Sequence, residues 1–389
     1  MSTKEVYQEI EQFMAEHLEG EIGKRTLKRL VLLVIGIVNG LSAAPAQMAE
    51  AISELGLNST SVESIERRIR RVENDPIIQA IRCFKPIAKA ILERCHMQEL
   101  LLILDPTAQK DHLVMVSINI WYRGRSLPIA WTIWPGNVPL EGASFWERIT
   151  ALLETTSEML PSGVPVTIMA DRAFGTPAFT DLVAAHGWHW IVRVQDQTHY
   201  RDRCGREKAI AHLVSKPGQR KKLSGWAFKK AGWRNASLIA FWGQRHRRPL
   251  CLVSDLHPSW NLVALYRRRF PIECTFRDYK SYGWHWEQGQ VRNLDHMQRL
   301  LVGMAIATWM TILIGAHFAE TLLAKKPTRK RHTRSWYGKK SLFRLGLIRW
   351  KAWFRGLSIP CFPKSLLCWD ASNWSSQFRA HHARAFVFA

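Results

Sequence analysis

None of the seven cysteines (Cys83, Cys95, Cys204, Cys251, Cys274, Cys361 and Cys368) forms a CxxC pair. That spacing and the odd count argue against a zinc knuckle or a disulfide framework and fit a reducing compartment. No glycine-rich loop has the spacing of a nucleotide phosphate cradle, and no nucleophile elbow presents a serine. There is no internal repeat. The opening residues, Met1 to Ile10, are too acidic and amphipathic to read as a signal peptide. Bilayer-length apolar runs are scarce: Leu30 to Leu41 is too short, and only Leu300 to Phe318 is long enough. A helix buried in a large core reads the same way. With no second span, the core helix is the expectation, and no membrane partner is expected.

Acidic residues are sparse where basic ones gather. The 389 residues include 55 Lys or Arg and 32 Asp or Glu, a net charge of +23. Residues 1–194 carry −3 and residues 251–320 carry +1, whereas 195–250 carry +11 and 321–389 carry +14. Concentrated positive charge interleaved with aromatics points to a polyanion, nucleic acid first. The 47% hydrophobic content allows a sizeable core and two or three domains, and 22% charged residues argue against global disorder.

Residues 1–95 read as helical. A cap signal at Ser61 leads into Arg67, Arg68, Arg70 and Arg71. These arginines either follow a DNA backbone or form a solvated face paired with Glu63 and Glu66; the segment is an expected accessory DNA-binding region. Residues 96–194 change character. Leu100–Leu104 is a strand broken at Asp105-Pro106, and His112–Trp121 and Ser126–Trp134 form a hairpin around Arg123-Gly124-Arg125. Gly142–Leu160 and Pro177–His186 read as helices, and Val164–Ala170 and Trp188–Val194 as strands. That order implies an α/β mixed sheet flanked by helices. Residues 195–250 suggest a small, basic, β-rich insertion. In 251–320, Ser259 is positioned to cap a helix from Trp260 and apolar helical spacing then runs through Phe318, and 321–389 is a basic C-terminal region for DNA contact or dimerisation.

Two aspartates end apolar runs: Asp105 after Leu102-Ile103-Leu104, and Asp171 after Thr167-Ile168-Met169-Ala170. Carboxylates at strand ends project from a rigid edge, and oxygen ligands suit Mg²⁺ or Mn²⁺; each alone is more often a cap or turn residue. A third element is Tyr266-x₂-Arg269-x₃-Glu273-x₆-Lys280. At about 100° per residue these four fall within roughly 60° of one helical face. Such a face presents a carboxylate between two cations, able to complete a metal site and grip phosphate; an ordinary solvated face with Glu–Arg pairs has the same spacing. Pro271 interrupts the helix or starts a new one.

This pattern resembles the signature of DDE transposases of bacterial insertion sequences, the insertion-sequence-four family. Asp171-Arg172-Ala173-Phe174-Gly175 resembles the family's second-aspartate motif and Leu104-Asp105-Pro106-Thr107 its first. The resemblance covers about residues 100–320, with Pro271 as a departure. It implies a ribonuclease H-like fold with a β-rich insertion before the last catalytic helix. It implies that Asp105, Asp171 and Glu273 are catalytic and hold two divalent ions, Mg²⁺ or Mn²⁺. Tyr266, Arg269, Lys280 and Arg172 would then contact DNA phosphates. The implied chemistry is cut-and-paste transposition through hairpin ends, by a homodimer on paired double-stranded ends in the bacterial cytoplasm. Trp226, Trp233 and above all Trp242 are candidates to stack on an unpaired base, although core packing of the insertion is the commoner reading of each. A different ribonuclease H-like nuclease or integrase, and a non-catalytic DNA-binding derivative, remain open alternatives.

Overall fold

The computed structural model describes residues 3–57, 60–93, 98–109, 112–138, 140, 142–289, 291–324 and 340–356. Most of the basic 321–389 region lies outside the described residues, as do Cys95, Cys361 and Cys368.

Five helices come first: α1 (Thr3–Leu18), α2 (Lys24–Gly40), α3 (Pro45–Glu54), α4 (Val62–Glu73) and α5 (Lys85–Glu93). Ser61 caps α4 by accepting from the Ser64 backbone N–H. Arg70 pairs with Glu66 at 2.7 Å, in keeping with a solvated face. The strands are β1 (Leu100–Gln109), β2 (Leu113–Tyr122), β3 (Arg125–Pro135), β4 (Val166–Ala170), β5 (His189–Arg193), β6 (His199–Asp202), β7 (Glu207–Ala209), β8 (Arg220–Ala227), β9 (Arg234–Phe241) and β10 (Leu250–Ser254). Helices α6 (Ala143–Ser157) and α7 (Pro177–Ala185) lie between strands. Then follow α8 (Asn261–Arg267), α9 (Pro271–Arg277), α10 (Leu294–Ala324) and α11 (Leu342–Phe354).

Among the described residues the strands form one sheet in the order β3-β2-β1-β4-β5-β10-β9-β8-β6-β7. β1, β2 and β3 form an antiparallel meander, and β1, β4 and β5 run parallel. This is the ribonuclease H-like arrangement. Arg123 and Gly124, both at positive φ (49° and 75°), close the β2–β3 hairpin as a two-residue loop requires. The basic insertion extends the same sheet, because β10 pairs with β5 on one side and β9 on the other.

Two sequence expectations are corrected. β1 does not break at Asp105-Pro106 but continues to Gln109, pairing with β2 throughout. Its pairing with β4 ends at Leu104↔Ala170, so Pro106 needs no N–H on that side. Ser259 does not cap α8 with its side chain; Trp260 occupies the cap position, and the Ser259 carbonyl accepts from Leu262 N–H. The interruption expected at Pro271 is present: Pro271 opens α9, so Tyr266–Lys280 is not one helix. α8 ends at Arg267, residues 268–273 make tight i→i+3 bonds around Pro271, and a π-helical turn spans Asp278–Tyr282.

The apolar run around Leu300–Phe318 lies in α10, which has the length and hydropathy of a span but is almost entirely buried inside the protein. Gly303 admits Leu33 and Ile37 of α2. Gly315 and Gly346 let α10 and α11 touch backbone to backbone, since a Cβ on either would collide with the opposite helix's carbonyls at Leu342 and Thr311. Three buried indoles here are hydrogen-bonded: Trp309 to Pro128 O, Trp284 to Thr308 Oγ1 and Trp350 to Thr311 Oγ1.

Candidate active site

Register aligns the site. Ile103 pairs with Met169 across the parallel β1–β4 ladder, and side chains alternate along strands. Asp105 and Asp171, each two residues further on, therefore leave the same face at the same edge. Asp171 follows β4 and folds back as a cap, one oxygen accepting from Ala173 N–H at 2.8 Å. Gly175 closes this turn against β5, where a Cβ would collide with the Arg193 carbonyl oxygen.

The third carboxylate arrives on α9, which is pinned to β3. The Thr275 hydroxyl contacts the Ser126 hydroxyl at 2.8 Å and donates to the Ser126 carbonyl at 3.1 Å. Ser126 Oγ also accepts from Asn119, whose side chain accepts from Ser117. Arg125 pairs with Asp278 just past α9. Burial raises the Asp278 carboxyl, and the Arg125 guanidinium opposes that rise. This buried polar chain orients the face carrying Glu273.

Asp105, Pro106, Asp171, Arg269, Glu273, Phe276, Arg277, Lys280 and Ser281 line one cleft of about 390 Å³. Arg269 donates to Asp105 Oδ2 and to Glu273 Oε1, each at 2.7 Å. Burial pushes the Asp105 carboxyl up to about 6; Asp171 and Glu273 add to the rise and Arg269 opposes it. Burial likewise pushes the Tyr266 phenol up to about 12. Lys280 donates to the Ala108 carbonyl of β1.

Asp105, Asp171, Tyr266, Arg269, Glu273 and Lys280 are therefore close together, with Tyr266 buried against Arg269 (guanidinium carbon 5.9 Å from the ring centroid) rather than lining the cleft. Arg172 is exposed beside Asp171. Trp242 does not line the cleft; it follows β9, and its indole donates to the His246 carbonyl at 2.8 Å. Trp226 and Trp233 flank the Arg201 guanidinium at 5.2 and 4.9 Å. Sequence reasoning missed Arg277 and Ser281 in the cleft, although Arg277 stands four residues past Glu273 on the same helix. It also missed the Arg125–Asp278 pair, which no local pattern announces.

Among the described residues no three His, Cys, Asp or Glu side chains are gathered closely enough to hold a metal as they stand. The donor set nevertheless fits a hard divalent cation: three carboxylates face one cleft, and two of them raise the third. The Arg269 guanidinium supplies the positive charge between Asp105 and Glu273.

Residues 147–310 match the family model described as Transposase DDE domain. That span includes Asp171, Tyr266, Arg269, Glu273 and Lys280 and leaves Asp105 outside. No curated protein matches the chain. Among solved structures, a piggyBac transposase synaptic complex with hairpin DNA is similar at 10% identity and a TM-score of 0.44, over 94% of this chain and 80% of that one. The strand order β3-β2-β1-β4-β5 defines the fold.

Proposed function

We propose that this protein is a DNA transposase that cleaves at the ends of an insertion sequence and joins the freed 3′ ends to target DNA. One observation carries the reading. Asp105, Asp171 and Glu273, from two neighbouring strands and a later helix, open onto one cleft together with Arg269 and Lys280. The match to the transposase DDE domain supports it.

In this reading the three carboxylates hold two divalent ions, Mg²⁺ or Mn²⁺. When bound, such ions lower the pKa of an attacking water or 3′-hydroxyl and neutralise the leaving oxygen. Arg269 holds the carboxylates in place and turns its guanidinium to a phosphate when the substrate enters, while Lys280 and the exposed Arg172 grip neighbouring phosphates. Tyr266, buried under Arg269, sets the position of that guanidinium. The same cleft serves first water and then the 3′-hydroxyl, which is what nicking followed by joining or hairpin closure requires. Trp242 is the proposed stacking partner for a base unpaired at a hairpin end. Two copies would pair the element's two ends, in the bacterial cytoplasm.

The test is a paired-end assay with the DNA flanking the reading frame and Mn²⁺. The unmutated protein should nick, then yield strand-transfer products. Glu273→Gln should bind the same DNA and do neither. Nicking without any joined product would mark a plain nuclease, and equal cleavage by both proteins would remove the catalytic reading.

A further inference from the structure

Beyond the cleft, the register carries one sheet face a long way. Met169 pairs with Ile191, Ile191 with Ser254, and Ser254 with Ser237, which pairs with Ser224. Alternation then puts Arg193, Phe241, Lys222 and Arg220 on the same face as Asp105 and Asp171. β9 runs in the same direction as β5, so Phe241 and Arg220 also stand at the carboxylate edge.

The cations along this path are held in a particular way. Arg267, on α8, lies over the Phe241 ring at 5.4 Å. Arg220 and Lys222 lie over the Trp260 ring at 4.9 and 6.0 Å, and Lys222 also donates to the Pro258 carbonyl. No carboxylate partner is found for these three among the described residues, and all three are exposed. Several other insertion cations are neutralised: Arg234, on the opposite face, pairs with Asp181, Lys229 with Glu207, and Arg248 with Asp196. Stacking on a ring fixes a cation in place without cancelling its charge. A row of fixed, uncancelled cations is suited to a phosphate backbone.

We infer that this Arg267–Phe241–Trp260–Arg220–Lys222 row is the track for one arm of duplex DNA whose scissile phosphate lies in the carboxylate cleft. The inference rests on the transposase reading and names where that site's substrate runs. From β1 to β8 there are five inter-strand steps of about 4.8 Å, roughly 24 Å in all. At about 3.4 Å per base pair that is about seven base pairs of one arm. A duplex matches the charge and the straight span across the strands; a single strand bound by base stacking would need open aromatic faces, and the Trp260 face is covered by cations.

The experiment compares the unmutated protein with Arg220→Ala/Lys222→Ala on an end duplex, using anisotropy over a range of salt and hydroxyl-radical footprinting. Lys221→Ala, an exposed neighbour on the other face, and thermal melts control for folding. The double variant should bind about tenfold more weakly, with a salt slope lower by about two. It should lose protection around five to nine base pairs to one side of the nick while still cleaving at saturating DNA. An unchanged affinity, slope and footprint, with cleavage intact, overturns the track and leaves the transposase reading standing. Absence of binding and cleavage in the unmutated protein overturns both. Equal loss in Lys221→Ala overturns the assignment to this face.

Discussion

The two ends of one sheet face are built on opposite rules. At the β1–β4–β5 end, carboxylates sit on central strands and on a helix pinned by buried hydroxyls, and Asp105 is only 7% exposed. At the β9–β8 end the proposed DNA-contacting groups are exposed cations resting on aromatic rings. Rigidity costs desolvation, which is why Asp105 rises to about 6 and needs Arg269 beside it. The proposed metal-dependent cleavage demands that placement, because misaligned ligands lose catalysis steeply. Grip on a polyanion tolerates looser geometry and gains from exposure, so its residues sit where water reaches them. Mutations at the first end should therefore cost activity or stability, and mutations at the second should cost affinity.

The largest effect expected is at the carboxylate end. Asp171→Asn or Glu273→Gln should lower cleavage by about a thousandfold, roughly 4 kcal/mol of transition-state stabilisation, with DNA affinity kept. Single-turnover cleavage alongside binding curves checks it.

Next come two scaffold changes at that end. Gly175→Ala forces a Cβ into the Arg193 carbonyl and should cost about 1–3 kcal/mol in denaturant unfolding. Thr275→Val leaves the buried Ser126 hydroxyl short of a partner and should cost about 1–3 kcal/mol. If either variant proved as stable as the parent, the rigid end would not be rigid by these contacts.

A smaller effect is expected from Lys280→Ala, which should weaken end binding and reduce the salt slope by about one; a slope identical to the parent's would deny it a phosphate. The smallest is Lys221→Ala, which should change stability by no more than about 0.5 kcal/mol, read by thermal melting.

Much of the carboxylate end was legible because apolar runs closing on an aspartate mark strand ends, and the spacing of Arg269, Glu273 and Lys280 survives the break at Pro271. The break itself followed from proline chemistry, but not its form: tight turns keep the chain near-helical, so Arg269 still reaches Glu273. The continuation of β1 past Pro106 was not legible, because it depends on the β4 pairing ending two residues earlier, at Leu104. Nor was the fusion of the insertion into the core sheet, since short alternating runs read alike in a separate module and in an extended sheet. The cation–aromatic row escaped for the same reason: Arg220 and Trp260 are 40 residues apart and meet only through register. α10 was read as a core helix from its composition, and the glycine contacts that bury it explain why it can be apolar on every side.

The most direct measurement is a count of Mn²⁺ bound per chain on an end duplex, from the loss of the free-ion electron paramagnetic resonance signal. The account predicts about two ions for the unmutated protein, and a clear loss of affinity in each of Asp105→Asn, Asp171→Asn and Glu273→Gln. Undiminished Mn²⁺ binding in all three variants would contradict it.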